Sequence, residues 1–185
     1  MVPAGALDCL WRRLDVPGLE WCRFEPGEIR GRVVVQLEGK PCAVEYSVRR
    51  DRHWRSRGAR ITLDDGGRRR QRVLQASGGR WLSDGRELLW ARGLPDLDLG
   101  VTPSTNTLPI RRLRLPVGAA AELTAIWVRF PGLEVRPLAQ RYTRLDRSTY
   151  RYQSLVDGVV RFTARIVVDQ RGRVERYAGL FERVG

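Results

Sequence analysis

At 185 residues the chain has the length of one domain, and a fold of that size buries roughly 70% of the surface its unfolded chain exposes. With 42% hydrophobic and 30% charged residues and no polar low-complexity tract, the composition excludes extended disorder and a core that depends on metal or disulfide staples. Thirty-four basic residues against 21 acidic ones leave a net charge of +13, and every base except Lys40 is an arginine.

Such a skew has two readings: an anionic partner drawn to guanidinium forks, or an arginine-biased composition spread over solvated strand faces. The dispersal of the arginines favours the second. One local cluster, Arg68 to Arg70 with Arg72, follows Asp65-Gly66-Gly67 at what reads as a hairpin tip. Cys9, Cys22 and Cys42 are odd in number and lack C-x-x-C spacing or neighbouring histidines, so they read as reduced, small apolar residues, with neither a disulfide framework nor a zinc site expected. The first residues carry no basic leader, Asp8 and Arg12 interrupt any signal-like apolar stretch, and no run approaches the ~18 apolar residues needed to cross a bilayer, so a cytoplasmic location is expected.

In chain order, Ala4 to Leu14 reads as a short helix. Strands are expected at Leu19 to Phe24, Gly31 to Leu37, Ala43 to Val48, Ala59 to Leu63, Arg72 to Ala76 and Glu87 to Trp90. Val117 to Leu123 is an ambiguous helix candidate. Thr124 to Phe130 alternates as a strand, followed by Val135 to Leu145, Tyr150 to Ser154, Val159 to Val168, Arg173 to Tyr177 and Leu180 to Val184. The clearest is Val159 to Val168, where Val160, Phe162, Ala164, Ile166 and Val168 share a face opposite Arg161, Thr163 and Arg165. Glycine-bearing turn pairs such as Glu38-Gly39 and Asp157-Gly158 separate the strands, so consecutive strands pair as a meander. The expected fold is mostly β with little helix: one domain over residues 1–185, in which about a dozen strands curl into a rolled antiparallel sheet, a spiral roll or open barrel.

Asp96 to Leu113, DLDLGVTPSTNTLPIRRL, breaks the pattern. Ser104, Thr105, Asn106 and Thr107 offer short hydrogen-bonding groups in a proline-stiffened loop, with Asp96 and Asp98 at one end and Arg111 and Arg112 at the other. The loop can hold the polar groups of a ligand; equally, its hydroxyls can satisfy their own backbone while the aspartates pair with the arginines.

That string, with QRYTRLDRSTYRYQS at Gln140 to Ser154 and VVDQRGRVERYAGLFERV at Val167 to Val184, resembles the bacterial "putative glycolipid-binding" family, formerly a domain of unknown function. The resemblance extends to Glu45 to Val48 and to Asp51 and Trp54. It implies a spiral β-roll similar in shape to envelope lipoprotein carriers, and a role connected with glycolipids. A roll that does not fill its interior can take an apolar tail and fix a head group at its mouth. Gln140, Arg141, Tyr142, Tyr150 and Tyr152 are close enough in sequence for alternate members to line one wall, although tyrosine in sheets is also ordinary packing.

Three functions remain open. The first is a non-catalytic binder or carrier of an amphipathic ligand of the glycolipid class, with Thr105, Asn106, Arg111 and Arg112 at the head group and no cofactor or metal. The second is an enzyme, a hydrolase or isomerase, using Asp96 or Asp98 as general acid or base; the single His53 offers no triad and no G-x-S-x-G elbow exists. The third, a nucleic-acid binder, rests on the charge of +13 and the interleaved aromatics, against which the arginines are dispersed and no nucleic-acid-binding motif is present. Exposed sheet edges leave a homodimer open.

Overall fold

The computed structural model describes residues 7–185, which carry fifteen strands in one sheet. The first eight are β1 (Leu7–Arg13), β2 (Gly18–Glu25), β3 (Glu28–Leu37), β4 (Lys40–Arg50), β5 (Ser56–Asp64), β6 (Arg69–Ser77), β7 (Arg80–Ser83) and β8 (Arg86–Glu87), each antiparallel to the next. A crossing segment then carries β9 (Leu97–Leu99), a 3-10 turn at Ser104–Asn106 and the helix α1 (Thr107–Leu113). A second meander follows: β10 (Ala120–Arg129), β11 (Glu134–Arg144), β12 (Thr149–Val156), β13 (Val159–Val168), β14 (Val174–Tyr177) and β15 (Phe181–Arg183). Strand β9 pairs parallel with β10, and β15 pairs antiparallel with β1, so the two meanders join through the first and last strands. The sheet is open, with β8 and β9 as its edges.

Alternation makes these strands and decides which way they face. On β3, Ile29, Gly31, Val33 and Val35 are buried while Arg30, Arg32 and Val34 are exposed; on β4, Cys42, Val44, Tyr46 and Val48 face the same interior. The Glu38-Gly39 turn between them takes positive φ at both positions, the geometry whose twist matches the flanking strands. The sheet curls until its halves touch: Arg72 Nε on β6 donates to the Leu133 carbonyl between β10 and β11, and the Leu97 amide donates to Ser56 Oγ on β5. On β10 the neighbours Ala125 and Ile126 point to opposite faces and both are buried, so this strand is covered on both sides, as a spiral requires.

Four sequence expectations are corrected. The helix expected over Ala4 to Leu14 is strand β1 from Leu7 to Arg13, because Cys9 and Trp11 alternate into the core and both edges are paired; Ala4 to Ala6 lie outside the described residues. Val117 to Leu123 is a turn that enters β10 at Ala120. The strand expected at Glu87 to Trp90 stops at Glu87 and continues as a 3-10 turn over Leu89–Ala91. On β13 the apolar face is buried only from Ala164 onward; Val160 and Phe162 are each 38% exposed, forming a lip with Val156 and Val159 where the hairpin projects past the roll.

Candidate functional site

The segment read as a proline-stiffened loop runs through the interior. Every residue from Val101 to Ile110 is buried, and Pro109 fits because the first turn of α1 has no intrahelical partner for its missing N–H. Polar side chains so enclosed need partners, and they find them far along the chain. Thr102 Oγ1 donates to Glu20 Oε1 at 2.6 Å, and the Tyr46 hydroxyl donates to the same oxygen while lying 2.8 Å from Ser104 Oγ. Asn106 Nδ2 donates to the Tyr142 hydroxyl at 2.8 Å, and Gln140 Nε2 donates to Asp98 Oδ2 at 2.6 Å. Thr105 Oγ1 accepts from the Leu99 amide at 3.3 Å and reaches Asp98 Oδ1 at 3.4 Å.

Between this polar segment and the concave face of the second meander lies a cavity of about 220 Å³. Asp98, Thr102 and Asn106 are its polar lining; Trp127, beside Asp98 on the neighbouring strand, and Tyr152, Phe162, Tyr177 and Phe181 supply its aromatic surface. Strand register assembles that surface. Trp127 lies opposite Asp98, Tyr152 opposite Tyr142, and Tyr177 opposite both Ile166 and Phe181. The rings of Tyr142 and Tyr152 are 5.2 Å apart edge to face, those of Tyr152 and Tyr177 are 5.7 Å apart, and Phe181 continues the chain 6.3 Å further on. Gly100 brings the backbone against Trp127, since a Cβ there would sit 2.9 Å from the indole Nε1.

Two carboxyls in and behind this wall titrate abnormally. Burial pushes Asp98 up to about 6, the hydrogen bonds from Gln140 and Thr105 opposing it. Asp98 remains partly exposed toward the cavity, so it can exchange a proton with whatever enters. Glu20 is fully buried; burial pushes it up to about 8 against the hydrogen bonds from Thr102 and Tyr46, and its Oε2 has no hydrogen-bond partner among the described residues. At neutral pH its carboxyl is therefore mostly protonated.

The residues singled out from the sequence do not converge on one place. Asp98, Asn106 and Tyr152 line the cavity, with Thr105, Gln140 and Tyr142 immediately behind them. Thr107 is buried with its hydroxyl unpartnered among the described residues. Asp96, wholly buried, receives Arg112 through both carboxylate oxygens at 3.0 and 2.5 Å; burial raises its pKa against the pull of that guanidinium. Arg141, on the opposite face of β11 from Gln140, pairs with Glu122. Arg111 and Tyr150 open into a separate basic cleft. Sequence reasoning passed over Glu20, Thr102, Trp127, Phe162, Tyr177 and Phe181. Their alternation was visible, but the register that gathers them was not.

Among the described residues no cluster of three His, Cys, Asp or Glu side chains is placed to hold a metal ion, and no helix is long and apolar enough to cross a membrane. A family model described as "Putative glycolipid-binding" matches residues 8–183. The crystal structure of a DUF1089-family protein from Pseudomonas aeruginosa superimposes with a TM-score of 0.83 at 37% identity, covering 90% of this chain and 92% of that one. None of the curated proteins matches the chain.

Proposed function

Because the chain belongs to the "Putative glycolipid-binding" family, we propose that it binds an amphipathic ligand of glycolipid chemistry without reacting with it, the sugar entering the Asp98–Trp127 cavity. The observation that carries this reading is one small cavity lined both by aromatic rings and by the Asp98 carboxyl and Asn106 amide. A sugar ring has an apolar C–H face that packs on aromatic surface and hydroxyls that need acceptors and donors at fixed positions. At about 220 Å³ the cavity is smaller than the ~300–1,000 Å³ that encloses a drug-sized ligand, so it suits one part of a larger molecule. The exposed lip of Val160 and Phe162, continuous with the cavity through Phe162, is where an apolar tail would lie.

Native mass spectrometry of the protein as purified from cells, followed by denaturing extraction, tests this. The expected result is a bound mass that fragments as a sugar lipid and falls in occupancy about tenfold in Trp127→Ala, which removes a half-buried ring at the cavity. A clean apo mass, with no rise in melting temperature on adding glycolipids, overturns it.

A second reading rests on Asp98 alone: a carboxyl with its pKa near 6 in a ligand-sized cavity suits general acid or base transfer on a bound sugar. Asp96, held by Arg112, is not available for that role. Ligand turnover that persists in Asp98→Asn removes the assignment.

A further inference from the structure

The cleft that receives Arg111 shares no lining residue with the aromatic cavity and has a volume of about 1130 Å³. It is bounded by the end of α1, by the turn between β11 and β12, and by the turn between β13 and β14. Seven arginines line it against two carboxylates, Asp169 and Glu175. Both carboxylates are already engaged: Asp169 holds Arg173 at 2.6 Å and Arg183 at 3.1 Å, and Glu175 holds Arg183 at 2.7 Å. The other five, Arg111, Arg114, Arg144, Arg147 and Arg171, have no carboxylate partner among the described residues.

Two of the unpaired charges, Arg144 and Arg111, are held in place. Arg144 donates to the carbonyls of Leu115, Asp146 and Arg147, contacts that orient its guanidinium without neutralising it. Arg111 lies 5.1 Å from the Trp54 ring, which also carries Arg50 at 3.9 Å, and its Nε is buried without a hydrogen-bond partner among the described residues. Among the described residues the Arg50 side chain donates to the Asp51 and Glu25 carbonyls and has no carboxylate in direct contact, so two cations meet on one indole. Gly172, at φ +75°, permits this approach: a Cβ there would stand 2.8 Å from Arg111 Cδ. Unpaired arginines elsewhere, such as Arg136 and Arg161, lie on exposed strand faces outside this concavity. Five unneutralised guanidiniums converging on one concavity repel one another, and a multivalent anion relieves that repulsion.

We infer that this cleft is a binding site for a phosphate-bearing anion, a phosphomonoester or a pyrophosphate, with Arg111, Arg114, Arg144, Arg147 and Arg171 as its donors. A phosphomonoester carries about 1.5 to 2 negative charges near neutral pH, and it offers several acceptor oxygens in the fork geometry that guanidinium matches. This site goes beyond the sugar-lipid reading and stands without it.

Calorimetric titration of inorganic pyrophosphate at low ionic strength, beside sedimentation with phosphatidylcholine vesicles with and without phosphatidic acid, tests the inference. Arg114, Arg147 and Arg171 are exposed, so R114Q/R147Q/R171Q removes donors without disturbing the core. That triple variant is expected to weaken binding about tenfold or more, whereas R68Q/R86Q/R161Q, which removes equal charge outside the cleft, changes it by less than about twofold. Gly172→Ala, which displaces Arg111, is expected to weaken binding while the three exposed arginines remain. Binding of pyrophosphate identifies a soluble phosphate ligand; binding only of phosphatidic acid vesicles identifies the phosphate of a membrane head group. Failure of both probes to bind, or equal losses in the two triple variants, overturns the site. Loss of a co-purified lipid in Trp127→Ala bears on the aromatic cavity alone.

Discussion

Glu20 is a carboxylic acid sealed behind the cavity wall, and its environment makes the protein's stability depend on pH. Its folded pKa near 8 lies above the usual 4.5, so the folded state holds a proton that the unfolded chain has released over the interval between them. Stability attributable to this residue is therefore greatest below about 4.5, falls as pH rises toward about 8, and is flat beyond. Glu20→Gln removes the titration. Denaturant melts from pH 4 to 9 are expected to show the variant gaining on the parent by a few kcal/mol, on the order of what a shift of this size implies. Parallel stability curves would exclude this role for Glu20. Asp96 is the opposite case, an acid whose cation is present. Asp96→Asn leaves Arg112 partly buried without its carboxylate and is expected to destabilise the fold by about 3 kcal/mol in urea unfolding.

At the scale of elements, β3 and β4 pack so closely that one position admits no side chain. A Cβ on Gly31 would overlap the Tyr46 ring, whose hydroxyl bonds Glu20, so Gly31→Ala must move the ring that braces the polar interior. A loss of about 1–3 kcal/mol is expected by thermal melting. The strands around them were legible because Ile29, Gly31 and Val33 are separated by Arg30 and Arg32, and Val44, Tyr46 and Val48 by Glu45 and Ser47, a pattern local to each strand. Strand β1 was not, because Leu7, Leu10, Trp11 and Leu14 also fit a helical stripe; pairing with β2 and β15 decides between the two periods. The interior course of Val101 to Ile110 was hidden for a related reason. Its hydroxyls resemble a solvated loop until their partners are known, and Glu20 lies 82 residues from Thr102. The same distance effect divides the candidate site. Asp98, Asn106 and Tyr152 carry recognisable chemistry, whereas Phe162, Tyr177 and Phe181 reach the cavity only through strand register.

Across the whole molecule, an open sheet of fifteen strands must manage two edges and a joint. The edges are short: β8 has two residues and β9 three, the latter with its Leu97 amide capped by Ser56. The joint is the pairing of β1 with β15, which registers Trp11, Arg12 and Arg13 against Arg183, Glu182 and Phe181, while Trp11 Nε1 donates to the Val174 carbonyl at 2.9 Å. Every other antiparallel pair joins strands consecutive in sequence; here Arg12 meets Glu182 across 170 residues. Loop-closure entropy thus falls mainly on one three-residue zipper, and each meander can form through short hairpins before it closes. If the β1–β15 contact forms after the barrier, Trp11→Phe, which deletes the bond crossing the joint, accelerates unfolding in stopped-flow experiments and leaves the folding rate nearly unchanged; a slower folding rate places the contact before the barrier. The connectivity is that of two local meanders closed into one sheet where the first and last strands meet.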